Sequence, residues 1–448
     1  MVKRTTGGVY AGLLIGLLAA PSARAQTYVI QDLGTLTGRN SAATAGTDNG
    51  YVAGYSAISG DFNGEPWFLH AFRWQGGAMT DLGVLGPDVP PEVFPKPDSQ
   101  ALDVNTLGQV VGKSVQPGQA YKGFLWLPAP AYGFPPGMNA LPELPGGSTI
   151  AAGINSSGWI VGESRPQGSL GPRPVLWRYV GTQWTLTDLG DLGGPYGRAH
   201  AINEQGQVCG ETNVPGGSMR SFLWLPKPDY GLTAGMHDID PAQGQSSAAD
   251  VNEKGQIVGV IGAGQTFLWL PQPDYGLPSG TTLLSFAEIP DAVAAWPQSV
   301  NESGVVVGQV ARQYYIDPPG IRITEYHAMI WQDGHMRLLE DLLPGSGWWL
   351  TNAYEVTPAG RIVGHGVSPL APENGHAFRM TPVRPGDMNC DGAVDFDDIS
   401  AFVSALVSRS AYEARYPDCP WLNGDMDANG DVDFDDIGPF VMLLTGRG

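Results

Sequence analysis

A seven-fold internal repeat constrains this chain more than any other feature. An apolar pair closing on glycine recurs as Val52-Ala53-Gly54, Val110-Val111-Gly112, Ile160-Val161-Gly162, Val208-Cys209-Gly210, Ile257-Val258-Gly259, Val306-Val307-Gly308 and Ile362-Val363-Gly364. Successive glycines are 58, 50, 48, 49, 49 and 56 residues apart. Four residues before each stands a second glycine: Gly50, Gly108, Gly158, Gly206, Gly255, Gly304 and Gly360. Seven residues before stands Asn105, Asn155, Asn203, Asn252 or Asn301, replaced by Thr47 and Thr357 in the first and last copies. An Asn able to bond the backbone two residues on, two variable residues, a Gly free to take positive φ and then an apolar run together encode a β-hairpin.

The rest of each copy supplies two more strands. An aromatic strand follows, as in His70-Ala71-Phe72-Arg73-Trp74, Ser221-Phe222-Leu223-Trp224 and His376-Ala377-Phe378-Arg379-Met380, and then a fourth strand such as Met79 to Gly83 or Leu186 to Gly190. Four short antiparallel strands in about 50 residues match one propeller blade. High glycine and proline (63 and 38 residues) beside 10% aromatic residues fit an all-β chain rich in turns and exclude a disordered one. The seventh copy has no fourth strand of its own, while Tyr28 to Gly34 precedes the first copy with the matching Asp-Leu-Gly ending. The expected fold is therefore a seven-bladed β-propeller over residues 26–383, closed by that N-terminal strand. An open β-solenoid or a β-sandwich array is the alternative, and no capping repeats are evident.

His-Ala-Phe with a following Arg or Leu and Trp, together with Asp-Leu-Gly-x-Leu and Asn-x-x-Gly-x-Val-Val-Gly, resembles the extracellular HAF repeats. The tripeptide is intact only at His70 and His376, and Met380 replaces the last Trp. The resemblance implies export and repetition and carries no activity with it.

Both ends of the chain carry further information. Lys3 and Arg4, an apolar run from Val9 to Ala20, and Ala23-Arg24-Ala25 predict a secretory leader over residues 1–25, with the apolar run too short to span a bilayer. No later segment is expected to cross a membrane, so a secreted or cell-surface protein is expected. Export to an oxidising compartment favours a Cys390–Cys419 disulfide and leaves Cys209 as a buried free thiol. The net charge of −20 speaks against nucleic acid as a partner and for cations.

After a short linker at 384–386, residues 387–448 change character. Asp387, Asn389, Asp391, Asp395 and Asp398 occupy positions 1, 3, 5, 9 and 12 of a twelve-residue loop with Gly392 at position 6, and Ala393 offers its carbonyl at position 7. Asp425, Asp427, Asn429, Asp431, Asp433 and Asp436 repeat the pattern around Gly430. Such spacing wraps oxygens around a hard cation, so two Ca2+ ions are expected, each loop leading into an amphipathic helix (Ile399 to Val407, Ile437 to Leu444). Two loop–helix units with Asp at position 12 resemble a type I dockerin. The resemblance implies a cohesin-like partner or cell-surface scaffold, often in polysaccharide breakdown. Two features depart from it: Phe396-Asp397 and Phe434-Asp435 at positions 10 and 11, and an inserted segment from Ser408 to Asn423.

No G-x-S-x-G elbow, HExxH or P-loop is present, and no catalytic residue is assigned. The repeated Trp residues read as blade core rather than as a glycan-stacking surface. Pro-rich loops tipped by Tyr132, Tyr230 and Tyr275 read as cover for blade edges or as a ligand surface; Trp67, Trp296, Trp348 and Trp349 stay open. The expectation is a non-catalytic exported binding protein, with glycans among its candidate ligands and an exported polysaccharide-active hydrolase as the alternative.

Overall fold

Each repeat turn folds as its residues dictate. Asn203 donates its N–H to the Gln207 carbonyl (3.1 Å) and Gly206 donates back to Asn203 (3.0 Å), closing the hairpin. All seven turn glycines take φ between 70° and 90°, where any side chain would be strained. The glycine that ends the apolar pair is required for a different reason. At Gly112, and at its six counterparts, a Cβ would overlap the carbonyl oxygen of the neighbouring inner strand, Gln100 in this case. The inner strand carries a bulge there, between Ala101 and Asp103.

The computed structural model describes residues 27–59, 68–86, 97–115, 120–145, 147–239, 244–316 and 320–446. The expected leader at 1–25 lies outside them, as does Trp67. Among the described residues the strands form seven four-stranded sheets, each running outward from an inner strand. The inner strands are Ser41–Gly46, Asp98–Val104, Ser148–Ile154, Gly197–Ile202, Ser246–Val251, Ala292–Val300 and Trp349–Val356, taken here as blades 1 to 7. The chain is a seven-bladed β-propeller. Its last blade takes Tyr28–Gly34 as outermost strand, antiparallel to Gly375–Pro382, with Ile30 opposite Met380 and Asp32 opposite Phe378.

The seam repeats the chemistry of an ordinary blade. In blade 1 His70 Nδ1 lies 2.9 Å from the Asp81 carboxylate, joining third strand to fourth. In blade 7 His376 Nδ1 lies 2.9 Å from Asp32, a residue 344 positions away. The His-Ala-Phe and Asp-Leu-Gly motifs are thus two halves of one cross-strand pair, which the closing strand completes. Burial works to raise both carboxyls, but the histidine and the backbone N–H of Gly34 or Gly83 outweigh it and hold them below the usual range.

The core lies between blades. Val111 and Leu125 of blade 2 pack with Ala151, Ile154, Ile160 and Trp177 of blade 3, and comparable layers recur around the ring. The central aromatics of the third strands, Phe72, Phe124, Phe222, Phe267 and Phe378, are fully buried. Trp74, Trp177 and Trp331 are buried, while Trp126, Trp224 and Trp269 are half-buried against the layer shared with the preceding blade.

Two devices join the blades on the turn face. In the first, the Asn side chain reaches past its own turn. Its Nδ2 donates to the carbonyl of the equivalent residue one blade on: Asn105 to Asn155 (3.0 Å), Asn155 to Asn203 (3.1 Å), Asn203 to Asn252 (2.9 Å), Asn252 to Asn301 (2.9 Å) and Asn301 to Thr357 (3.2 Å). In the second, an aromatic ring covers the turn glycine of the next blade. Tyr51 covers Gly108, Tyr132 covers Gly158, Trp159 covers Gly206, Tyr230 covers Gly255 and Tyr275 covers Gly304, leaving no room for a Cβ at any of them. The Pro-rich loops therefore act as clasps: their tyrosines take positive φ (51–54°) to reach over, and Tyr275 Oη bonds Gln256 of its own blade and the Glu302 carbonyl of the next (2.7 and 2.8 Å).

Beyond Pro382 the chain is helical: α1 (Ile399–Val407), α2 (Arg409–Arg415) and α3 (Ile437–Leu444) pack over Met388, Ala401, Phe402, Ala405, Tyr412 and Phe440. Helix α2 and a 3-10 turn at Trp421–Gly424 come from the inserted segment, where no helix was expected.

Candidate functional site

The two acidic loops share one hydrogen-bond plan, 38 positions apart. In the first, the position-12 carboxylate of Asp398 is fully buried and accepts the N–H groups of Met388 (2.7 Å), Asn389 (3.0 Å) and Asp395 (2.9 Å). In the second, Asp436 accepts those of Met426 (2.7 Å), Asp427 (3.2 Å) and Asp433 (2.9 Å). Asp395 and Asp433 each cap the helical turn that follows, in reciprocal capping boxes. Position 4 (Cys390, Ala428) and position 6 (Gly392, Gly430) take positive φ in both, so each backbone curls around its own centre.

The carboxylates of the second loop converge as ligands of a hard cation do. Asp425, Asp427 and Asp436 each place an oxygen within 4.8 Å of the other two. Asp387, first in the other loop, is 3% exposed, and its Oδ1 is buried with no hydrogen-bond partner. A buried carboxylate oxygen left bare is costly, and such an atom is normally satisfied by a proton donor or a metal. The remaining expected ligands, Asn389, Asp391, Ala393 and Asp395, and Asn429, Asp431 and Asp433, line the same two turns. Asn389 and Asn429 each turn Oδ1 to a backbone N–H two residues on (2.8 Å). Cys390 is joined to Cys419, tying the first loop to the inserted segment.

A duplicated apolar surface adjoins the loops. Phe396 (69% exposed), Ile399 and Val403 on one unit match Phe434 (79%), Ile437 and Val441 on the other, again 38 positions apart. Phe402 and Phe440 stack between the units with ring centroids 4.1 Å apart. The exposed Phe396 and Phe434 are the position-10 residues that depart from the dockerin pattern.

The other acidic region lines the propeller axis, where a cavity of about 310 Å3 is walled by all seven inner strands. Three carboxylates face it and each ties two blades together. Asp103 accepts from Val104 and, one blade on, Ile154 (both 2.7 Å); Asp250 from Val251 (2.8 Å) and Val300 (2.9 Å); Glu355 from Gly46 (2.8 Å). Burial and mutual repulsion raise all three, Asp103 to about 7. At the mouth, Glu204, Glu253 and Glu302 each accept a backbone N–H of the preceding blade. Sequence reasoning missed these groups, because a carboxylate at the end of an inner strand has no local motif. Of the open tryptophans, Trp348 meets Phe378 edge-on, Trp296 lies beside Tyr326, and Trp349 stacks on His327.

No protein-family model matches the chain, and no curated protein matches it. Among solved structures, it is similar to TolB from Acinetobacter baumannii (11% identity, TM-score 0.36, 75% of this chain and 64% of that chain). It is also similar to the β-propeller domain of the Trilobed protease from Pyrococcus furiosus (8% identity, TM-score 0.35, 70% and 98%). A third likeness is to the Aleuria aurantia lectin, as a mutant in complex with α-methyl-L-fucoside (13% identity, TM-score 0.32, 71% and 99%). This chain spans just under two thirds of TolB. Likenesses this low say nothing of activity; the seven sheets and their closure define the propeller. Among the described residues no helix is long and apolar enough to cross a membrane.

Proposed function

We propose that this is an exported, non-catalytic interaction protein in which the propeller is a platform and residues 387–448 are a calcium-dependent docking module. The carrying observation is the pair of loops built to one plan, with the buried, unpartnered Oδ1 of Asp387 in one and three converging carboxylates in the other. Calcium supplies positive charge that offsets 13 carboxylates set against three arginines in residues 387–448. The chain's own residues do the rest. Asp398 and Asp436 hold each loop closed through three backbone N–H groups, and the capping boxes couple each loop to the turn ahead of α1 or α3. The duplicated Phe-Ile-Val surface is the face presented to a partner. The Cys390–Cys419 bridge supports the expectation of export.

Titration calorimetry of chelator-stripped full-length protein with CaCl2 is expected to give two sites, and Asp398→Ala or Asp436→Ala to remove one each. No heat of binding would overturn the calcium reading. A purified cohesin module on a column is expected to retain the protein in calcium and release it with EGTA. Absence of retention under both conditions would exclude a cohesin-class partner while leaving the calcium sites intact.

A further inference from the structure

We infer that the C-terminal module is a latch on the seam of the propeller, with Asp418 acting as the clasp that the junction between blades 7 and 1 otherwise lacks. Five junctions carry an aromatic clasp from the preceding blade over the turn glycine of the next. Among the described residues two junctions have no aromatic clasp: at the blade 7 turn only Pro382 comes near Gly360, and from blade 7 to blade 1 Arg361 stands where blades 1 and 3 carry Tyr51 and Trp159. What covers Gly50 is Asp418, whose carboxylate would meet a Cβ placed there at 2.6 Å. Asp418 belongs to the inserted segment that sets this module apart from the family it resembles.

The contact is anchored from three sides. Arg379 Nη1 donates to Asp418 Oδ1 (2.6 Å), and Arg361 Nη2 donates to the Asp418 carbonyl (3.1 Å). Both arginines are buried, 3% and 6% exposed. Arg379 also donates to Gln31 of the closing strand (2.8 Å) and lies over the Trp74 ring of blade 1 (4.6 Å). One guanidinium thereby joins module, closing strand and first blade. Arg361 donates from Nη1 to the Asp48 carbonyl in blade 1. The short connection from propeller to module is pinned as well: Arg384 N–H and Gly386 N–H both bond Asn423, and the Arg384 side chain bonds the Ala359 carbonyl (2.7 Å).

The latch is joined to the first acidic loop by a covalent bond. Cys419, next to Asp418, is bridged to Cys390 at loop position 4. An ordered first loop therefore holds Asp418 at the seam, and a loop that opens releases it. This second step rests on the reading of that loop as a calcium site; the clasp itself does not. Without the Asp418 carboxylate the buried Arg379 guanidinium loses its ion-pair partner and faces the like charge of buried Arg361 without it, which is strongly unfavourable.

Hydrogen exchange of the full chain in calcium, read by mass spectrometry, tests this. Asp418→Ala is expected to speed exchange at least about tenfold in Tyr28–Gly34 and in the turn at Thr47–Gly50, leaving the turn at Asn203–Gly206 unchanged. Asp418→Asn, which keeps the shape and removes the charge, should fall between and serves if the alanine variant folds poorly. Tyr230→Ala should loosen only the turn at Asn252–Gly255, as an internal standard for a clasp. If Tyr230→Ala loosens its junction while both Asp418 variants match the wild type within about twofold, the latch is wrong. EGTA added to the wild type should speed exchange at the seam, with no further effect on Asp418→Ala. If EGTA loosens residues 387–398 but not the seam, the coupling is overturned and the clasp stands. If EGTA changes nothing anywhere, the calcium reading fails, and the Asp418 variants still decide the latch.

Discussion

Replacing Asn203 by alanine tests whether the Asn circuit, and not hydrophobic contact alone, holds neighbouring blades in register. The side chain is 3% exposed and makes four hydrogen bonds: Nδ2 to Gln207 Oε1 (2.8 Å) and to the Asn252 carbonyl (2.9 Å), and Oδ1 from the N–H groups of Gln205 (3.1 Å) and Gln207 (2.9 Å). At about 1 kcal/mol net each, Asn203→Ala should cost about 4 kcal/mol, since the stranded backbone groups stay out of water. Asn203→Thr separates the two roles. Thr357 and Thr47 already show that threonine in this position keeps the acceptor for the turn, taking the N–H of Arg361 (3.1 Å) and of Tyr51 (3.0 Å). The threonine variant should therefore lose chiefly the donor to the next blade and cost about 2 kcal/mol. Urea unfolding of the full chain in calcium, followed by tryptophan fluorescence, gives both values from the midpoint shift at constant slope. An alanine cost below about 1 kcal/mol would refute the reasoning, and so would threonine costing as much as alanine.

Two further outcomes follow from buried ionisable groups. Asp103 is raised to about 7 and Asp98 to about 6, chiefly by burial, and Asp250 and Glu355 are raised too; the folded state thus holds protons that the unfolded chain releases near pH 4, so stability should fall as pH rises from about 4 to about 7. Melting scans across that range should show it, with Asp103→Asn flattening the slope; a melting temperature that rises with pH would contradict the assignment. Cys209 is buried in the second strand of blade 4 with its thiol pushed well above the ordinary range, so iodoacetamide should label it only after denaturation, and prompt labelling of native protein would show that the blade opens.

Much of the ring was legible because its signals are local. A turn glycine with positive φ, an Asn two residues before a bend and an aromatic run every ~49 residues each declare themselves in a short window. The closing strand was legible for a related reason: Asp32-Leu33-Gly34 is the missing half of a pair whose other half, His376, is visible in the last copy. What escaped was long-range. Nothing around Asn155 reveals that its amide bonds Asn203 of the next blade, and nothing around Asp103 shows that its carboxylate is shared with Ile154. The Tyr loops were read as cover or ligand surface because the ring's target, a glycine about 25 residues further on, lies in another repeat. In the acidic loops spacing named the oxygens, yet the duplicated Phe396 and Phe434 surface needed the helices to place both on the outside.

The seam differs from the other junctions because chain topology makes it harder to close. An internal junction closes about 49 residues of chain, whereas the seam brings together Asp32 and His376, 344 apart. With a loop entropy growing as (3/2)RT ln n, the difference is about 2 kcal/mol, the worth of one or two net hydrogen bonds. The Asn circuit also stops there, since Thr357 offers no amide to blade 1, and it resumes only at Asn105 because Thr47 offers none to blade 2. The seam makes up for this with carboxyl acceptors and two ion pairs. Glu355 accepts from Gly46 across it, Asp48 accepts from Ala359 N–H (3.1 Å), and Asp32–His376 and Asp418–Arg379 flank it. A ring whose Asn amides run from blade 2 to blade 7, and whose last junction relies on ion pairs instead, should open at that junction first. The charged groups there answer to pH and ionic strength, which the asparagines do not. The acidic module is docked at that junction, where Asp418 meets the buried guanidinium of Arg379.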